Sequence, residues 1–255
     1  MKTGLVSVTF RKKSPKEIIE LVRQAGLDGI EWGGDVHATD PEAAKEIRKR
    51  MEELSIFSLG SYYNTGSGEG SFEKVFETAC ALGAPNIRVW AGPEDGRSAG
   101  PEIWERVVAD SKRIAKIAAT EGKTISYEYH GGTLTSLQKN ALRLLQEVDE
   151  PNVFLYWQPL DCNPEEEKLQ HVQELAASGL LMNLHVYQWN GGLRLPLSDG
   201  EARWQPWISA AKDAANAALL EFVQDDDPAR FLEDAAVLKR MVTPNSLFTV
   251  SSAVS

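Results

Sequence analysis

Short apolar segments alternate along the chain with longer amphipathic ones. Eight β-rich segments are separated by segments in which apolar residues recur every three or four positions, which is the spacing of a helix. This alternation predicts a parallel sheet whose strands are joined by crossover helices. The predicted strands cover residues 5–10, 29–32, 56–61, 86–90, 124–129, 153–157, 182–187 and 219–223.

The ends of the predicted helices carry typical capping residues. Ser14, Pro15 and Glu17 supply an N-cap serine, a proline in the first turn and a glutamate at the third helical position. Gly26 follows the same segment, where a left-handed residue commonly ends a helix. Eight βα units in 255 residues predict an α/β fold, a single (β/α)8 TIM barrel over residues 1–255 with 243–255 as a C-terminal tail. An open doubly wound sheet is the alternative, but no glycine-rich phosphate loop follows the first strand.

Composition narrows the class of protein. The formal net charge is −10, and the chain contains two cysteines. An acidic chain is a poor partner for nucleic-acid phosphates, and two cysteines cannot form a disulfide scaffold. No apolar segment approaches the roughly 18 residues of a membrane span, and residues 1–15 lack the pattern of a secretory signal. We therefore expect a cytoplasmic protein that acts on a small molecule, with neither nucleic acid nor membrane as a partner.

The candidate chemistry lies at the carboxyl ends of the strands, where TIM barrels place their active sites. Glu128 and Glu221 stand in otherwise apolar strands, and an unpaired buried carboxylate is costly. Each must be paired, protonated or bound to a cation. The partners that strand alternation makes available are Arg88, His130, His185 or a metal ion.

Two interpretations of these carboxylates stay open from the residues alone. Two carboxylates, an imidazole and the amide oxygen of Gln158 suit Mn, Zn or Mg. Structural ion pairs of Glu128 and Glu221 with Arg88 or His185 are the alternative.

Four short segments lie at or beside the predicted strands: 26–32 (GLDGIEW), 128–135 (EYHGGTLT), 184–186 (LHV) and 220–222 (LEF). Together they resemble the sugar phosphate isomerase/epimerase family, a group of xylose-isomerase-like TIM barrels. The resemblance extends from residue 4 to about residue 241. The family includes ketose 3-epimerases, hydroxypyruvate isomerase, inosose and dehydroshikimate dehydratases, and endonuclease IV. The resemblance implies an isomerase or epimerase of a small sugar, sugar phosphate or hydroxy-ketone.

The resemblance also implies one divalent metal ion, Mn, Zn, Co or Mg. The family's ligands follow strands 5 to 8, and they correspond here to Glu128, Gln158, His185 and Glu221. Gln158 departs from the family, which usually has an aspartate there, and an amide attracts a hard dication less than a carboxylate does. Asp161, three residues further on, is the alternative ligand if the loop folds back.

In family members of the epimerase type, a proton moves on a carbon next to a carbonyl through an enediolate. The resemblance makes Glu128 and Glu221 the acid/base pair. A dehydratase-type lyase on the same scaffold and a metal-free sugar-binding barrel without catalysis are the alternatives. The negative charge and the presence of only four histidines disfavour a phosphodiesterase like endonuclease IV.

Three polar residues are candidates for contact with a carbohydrate substrate. His130 fits a substrate hydroxyl or a proton relay, or else it is a partner of Glu128. Arg88 meets a phosphate or carboxylate of the substrate, or else it neutralises Glu128. Arg194, in the glycine-rich loop after strand 7, is a second candidate anion contact.

Three aromatic residues lie where the apolar face of a sugar would stack, although large aromatics also simply fill barrels. They are Trp32, Tyr62 and Trp90. In the C-terminal tail, Leu247, Phe248 and Val250 are available for packing, and a homo-oligomer stays open.

Overall fold

The computed structural model describes residues 1–243, which form a closed barrel of eight parallel strands surrounded by eight α-helices. The predicted TIM barrel is therefore confirmed. The remainder of the predicted tail, 244–255 with Leu247, Phe248 and Val250, lies outside the described residues. The barrel strands are β1 (Lys2–Val6), β2 (Gly29–Gly33), β3 (Ser55–Asn64), β4 (Asn86–Trp90), β5 (Thr124–Glu128), β6 (Val153–Trp157), β7 (Leu181–Val186) and β10 (Ala217–Leu220).

The strands follow one another around the barrel in chain order, and β10 pairs with β1 to close it. A two-stranded antiparallel hairpin, β8 (Trp189–Asn190) and β9 (Leu193–Arg194), stands between β7 and β10. It belongs to the loops at the carboxyl end of the barrel, where it forms part of the candidate site.

The helices cover the outside of the barrel. At the first of them, Ser14 and Glu17 form the expected capping box, and Gly26 ends the helix with a left-handed φ of 63°. None of the described helices is long and apolar enough to cross a membrane. The helices are α1 (Pro15–Ala25), α2 (Pro41–Met51), α3 (Phe72–Leu82), α4 (Pro101–Ala119), α5 (Gln138–Val148), α6 (Glu165–Ser178), α7 (Glu201–Ala211) and α8 (Pro228–Val242).

The first and last predicted strands are longer than the observed ones at their carboxyl ends. β1 ends at Val6, and Ser7–Phe10 form a 3-10 turn. β10 ends at Leu220, and Phe222 adopts a left-handed φ of 59°. Apolar residues continue past both strand ends, so the hydrophobic pattern does not show where the pairing of the strands stops. Glu221 consequently lies in the first position of a loop at the barrel rim.

Strand alternation divides the apolar residues between two layers. Outward-facing residues such as Ile30 and Trp32 pack in the main core between strands and helices. Inward-facing residues such as Phe57, Tyr156 and Leu219 form a smaller cluster inside the barrel. The polar residues of the candidate site lie above this inner cluster, at the carboxyl ends of the strands.

Candidate active site

Five titratable side chains meet inside the barrel at the carboxyl ends of its strands. None of them is more than 5% exposed. Three are carboxylates and one is a permanently charged guanidinium, so the cluster carries excess negative charge whenever its imidazole is neutral. They are Glu31 on β2, Arg88 on β4, Glu128 on β5, His185 on β7 and Glu221 directly after β10.

Arg88 joins two of the carboxylates. Its Nε donates to Glu31 Oε1 at 2.7 Å, and its Nη1 donates to Glu128 Oε2. A Cβ at Gly60 would lie 2.7 Å from Arg88 Nη2 and 2.8 Å from Glu31 Oε1, so only glycine leaves room for this contact. Ser58 donates to Glu31 Oε2 at 2.5 Å. Burial raises the pKa of Glu31, but the Arg88 guanidinium, His185 and Ser58 together outweigh it and hold that pKa well below its usual range.

The imidazole of His185 lies among all three carboxylates. Nδ1 is 3.3 Å from Glu221 Oε2 and 3.4 Å from Glu128 Oε1, and Nε2 is 3.5 Å from Glu31 Oε1. Within residues 1–243 neither ring nitrogen has a hydrogen-bond partner, which is costly for a fully buried polar group. Burial lowers the pKa of His185, but Glu221 and the other carboxylates raise it well above the ordinary value.

The same residues fit a divalent metal ion. One ligand atom each from Glu128, His185 and Glu221 lie within 4.8 Å of one another. Two carboxylate oxygens and an imidazole nitrogen suit Zn, Mn or Co. Nδ1 of His185 faces Glu128 and Glu221 while Nε2 faces Glu31. Metal-binding imidazoles usually direct their second nitrogen to such a carboxylate.

Gln158, the fourth residue predicted to bind the metal, lies at the edge of this cluster. Its amide nitrogen donates to the Tyr129 carbonyl oxygen and lies 3.4 Å from Glu128 Oε1. The alternative ligand, Asp161, is exposed to solvent and does not line the cavity. The structure thus brings Glu128 together with Gln158 rather than with Asp161, and the amide nitrogen of Gln158 faces the carboxylate.

A cavity of about 210 Å³ opens above the cluster. Trp90 Nε1 donates to Glu128 Oε2 at 2.9 Å, which links the wall of the cavity to its floor. His130 lies against Trp90 with a ring-centroid distance of 4.5 Å, and its Nδ1 is 2.7 Å from the Gly131 carbonyl oxygen. The aromatic walls consist of Tyr62, Trp90 and His130 from the β3–β5 side and Tyr187, Trp189 and Phe222 from the β7–β10 side.

Two of the predicted substrate contacts do not line this cavity. Trp32 is fully buried in the outer core, because Glu31 beside it faces into the barrel. Arg194 lies on β9, where it pairs with Asp226 at 2.6 Å and covers the Phe222 ring at 4.8 Å. Of the predicted substrate contacts, Arg88, His130, Tyr62 and Trp90 do line the cavity.

Sequence reasoning gave no site role to Glu31, nor to Trp189 in the hairpin. A signal for Glu31 was present, because it is a glutamate between Ile30 and Trp32 in an apolar strand, as Glu128 and Glu221 are in theirs. Trp189 carried no signal, since the path of the hairpin after β7 is not encoded in a periodic pattern.

The closed barrel of parallel strands is a TIM barrel. Its buried carboxylate–imidazole cluster lies at the carboxyl ends of the strands, where TIM barrels place their active sites. The model of the xylose isomerase-like TIM barrel family matches residues 19–241. The chain belongs to this family.

Solved structures of low sequence identity share the fold. A probable 3-DHS dehydratase, AsbF, from Bacillus anthracis has a TM-score of 0.79 at 21% identity, covering 94% of this chain and 99% of that one. A D-allulose 3-epimerase from Methylomonas sp. in complex with D-allulose has a TM-score of 0.72 at 17% identity, covering 95% and 97%. The IOLI protein with a bound zinc atom has a TM-score of 0.73 at 14% identity, covering 95% and 98%. No curated protein matches the sequence.

Proposed function

We propose that the protein isomerises or epimerises a small sugar or hydroxy-ketone by moving a proton on the carbon next to a carbonyl. The observation that carries this proposal is the position of Glu128 and Glu221 at the floor of one cavity, with oxygens 3.4 and 3.3 Å from Nδ1 of His185. Carboxylates placed in this way can accept and return a proton. The presence of an epimerase among proteins of the same fold is consistent with this chemistry.

The two carboxylates differ in how firmly they are held. Glu128 accepts hydrogen bonds from Arg88 and Trp90. Burial raises the pKa of Glu128, and the Arg88 guanidinium together with His185 and His130 lowers it. Within residues 1–243, His185 is the only charged partner within ion-pair distance of Glu221. We therefore assign the first proton removal to Glu221, with Glu128 as the other member of the acid/base pair that delivers a proton to the opposite face in an epimerisation.

Glu128, His185 and Glu221 would hold the divalent ion, with Gln158 beside them. When bound, the ion supplies positive charge next to the substrate oxygens on which negative charge develops. The cluster has three carboxylates and one guanidinium, so its net negative charge can accommodate a dication.

A dehydratase is the second candidate, and His130 is the observation that favours it. The contact of Nδ1 with the Gly131 carbonyl oxygen leaves Nε2 as the ring nitrogen available to a ligand. In its imidazolium form, His130 can give the proton on Nε2 to a departing hydroxyl, which leaves as water, after Glu221 has removed the neighbouring proton. The product would be conjugated and would absorb ultraviolet light.

Exchange of substrate hydrogen with solvent tests both candidates. The protein, supplied with Mn, Co, Zn or Mg, is incubated in D2O with ketoses, aldoses, ketose phosphates and cyclic hydroxy-ketones, and the mixtures are followed by NMR and ultraviolet absorbance. Deuterium next to the carbonyl together with an isomeric sugar supports the isomerase or epimerase. An absorbing product supports the dehydratase. Thermal stabilisation by a sugar without exchange or product contradicts both and indicates a non-catalytic binding barrel.

A further inference from the structure

We propose that the substrate is an uncharged polyhydroxy ketone, open-chain or cyclic and about the size of one monosaccharide, and that the site excludes phosphorylated and carboxylated compounds. This inference rests on the proposed function and refines its substrate class. It is carried by the contacts of each arginine around the cavity, by the charge of the floor, and by the size and walls of the cavity.

Among residues 1–243, the cavity lining offers no arginine or lysine that is free to bind an anionic substrate. Arg88 is the only arginine or lysine that lines it within residues 1–243, and residues 244–255 contain neither type. A guanidinium binds a phosphate or carboxylate in a bidentate manner through one of two edges. In Arg88 one nitrogen of each edge already donates to a carboxylate, because Nε donates to Glu31 and Nη1 donates to Glu128. Neither edge is therefore free for a bidentate contact with a ligand. The residue is also 3% exposed.

Arginines in the loops at the carboxyl rim are paired in the same way. Each has a carboxylate of its own, so an anionic substrate would meet a negative group beside each of these arginines. The pairs are Arg11 with Asp35, Arg97 with Asp95 at 2.8 Å, and Arg194 with Asp226 at 2.6 Å.

The floor of the cavity repels anions. Glu31, Glu128 and Glu221 face one guanidinium, and their burial strengthens repulsion of any further negative charge. A bound dication would bring this cluster to neutrality when His185 is neutral, but it would not make the cluster positive. A neutral ligand avoids this cost.

The size and the walls of the cavity fit a neutral ring or short chain. Its volume of about 210 Å³ is smaller than that of pockets for drug-sized ligands, which is typically about 300–1,000 Å³. Tyr62 and Trp90 offer aromatic surface to the C–H faces of a sugar. The indole N–H of Trp189 is buried and has no partner within residues 1–243, so it can donate to a hydroxyl.

Matched ligand pairs test the proposal. Binding of D-allulose and D-fructose is compared with binding of their 6-phosphates by ligand-observed NMR, with Mn replaced by diamagnetic Mg or Zn so that signals survive. We expect at least one neutral ketose to bind roughly tenfold or more tightly than its phosphate. Tighter binding of the phosphates, or no binding by any neutral ketose of the panel, would overturn the proposal.

A charge variant tests the physical reason. Arg11 Nη1 lies 3.4 Å from the hydroxyl of Tyr62, which lines the cavity, so Asp35→Asn releases a guanidinium at the cavity edge. We expect this variant to bind the ketose phosphates roughly tenfold more tightly than the wild type, with binding of the ketoses changed less than about twofold. Asp213→Asn removes the same charge from an exposed position before β10 and serves as the control. Equal effects of the two variants would overturn the role of the rim pairs.

Binding and turnover separate the two proposals. Binding of neutral ketoses without solvent hydrogen exchange contradicts the proposed function and supports the substrate class. Exchange confined to phosphorylated or carboxylated compounds supports the proposed function and contradicts the substrate class.

Discussion

The two ends of the barrel interior are both polar, but they satisfy their polar groups in different ways. At the amino end, the Tyr156 hydroxyl accepts a hydrogen bond from Asn183 at 2.6 Å and donates to Ser58 at 3.0 Å. Asn86 accepts from Ser126 at 2.7 Å in the same network. These groups are neutral, and the network meets the carboxyl-end cluster at Ser58, which donates to Glu31 Oε2 at 2.5 Å. At the carboxyl end, three carboxylates share one guanidinium, and a buried imidazole has no hydrogen-bond partner among the described residues.

The comparison shows that unsatisfied charge, rather than volume, marks the candidate site. The cavity at the amino end has about 450 Å³, more than twice the 210 Å³ at the carboxyl end. Its lining consists mainly of amides, hydroxyls and apolar groups, and its lysine, Lys2, donates to Ser55 at 3.0 Å. Buried networks whose members are all paired specify structure, whereas strongly perturbed groups in a cleft indicate function.

The largest effect is expected at the carboxyl end, from Glu221→Gln. The amide cannot accept the substrate proton and is a weaker metal ligand, so we expect kcat to fall at least about 1,000-fold and the bound metal to be lost. Solvent exchange measures the first effect and elemental mass spectrometry the second. Glu201→Gln, the same change on α7 beside Arg240, should leave both unchanged. Full activity of Glu221→Gln would contradict the assignment of the carboxyl-end cluster as the active site.

The next effect is expected from Glu31→Gln, which breaks a buried ion pair while leaving Arg88 in place. The lowered pKa of Glu31 shows that the folded protein favours its ionised form, so its loss should destabilise the fold. We expect the free energy of unfolding to fall by about 3–5 kcal/mol in urea titrations. Glu46→Gln, exposed on α2, is the control. A loss below about 1 kcal/mol would mean that the ion pair between Glu31 and Arg88 contributes little to the stability of the fold.

A smaller effect is expected at the amino end, from Tyr156→Phe. The change removes one hydroxyl from this network and leaves the Asn183 amide N–H without its acceptor, whereas Ser58 keeps its hydrogen bond to Glu31. We expect a loss of about 1–3 kcal/mol in stability with metal content and kcat retained. A tenfold loss of kcat would show that the two ends are not independent.

The smallest effect concerns a carboxylate outside the barrel. Asp234 is 3% exposed and accepts from the Leu197 N–H at 2.8 Å, and burial raises its pKa to about 6. A raised pKa means that this group favours the fold at low pH and that the contribution is lost as pH rises through about 6. Asp234→Asn should therefore be about 1–2 kcal/mol more stable than the wild type at pH 7.5 and gain nothing at pH 4. Thermal unfolding at both pH values measures this, and an equal gain at both would contradict it.

Most of the barrel could be predicted, because each strand is a short apolar segment and each helix has a periodic face. The positions of Glu128 and His185 followed from alternation along regular strands. Alternation also orients Trp32 outward once Glu31 faces inward, yet no charge partner for Glu31 is visible in the sequence near it. Its partner Arg88 lies 57 residues away and is brought to it by the closure of the barrel.

The surroundings of the site were less predictable where the chain leaves regular structure. The direction of the Gln158 amide depends on the Tyr129 carbonyl, and the position of Arg194 depends on the β8–β9 hairpin and on Asp226. Such contacts join loops whose paths no hydrophobic period encodes.

The hydrogen bond from the Phe222 N–H to Thr9 Oγ1, 3.0 Å long, joins the first βα unit of the chain to the last. Phe222 directly follows Glu221, so this hydrogen bond positions the proposed base against a segment that is synthesised some 210 residues earlier. A growing chain on the ribosome therefore has no assembled site until its eighth unit has emerged and closed the ring. Activity would therefore report on completion of the barrel during folding.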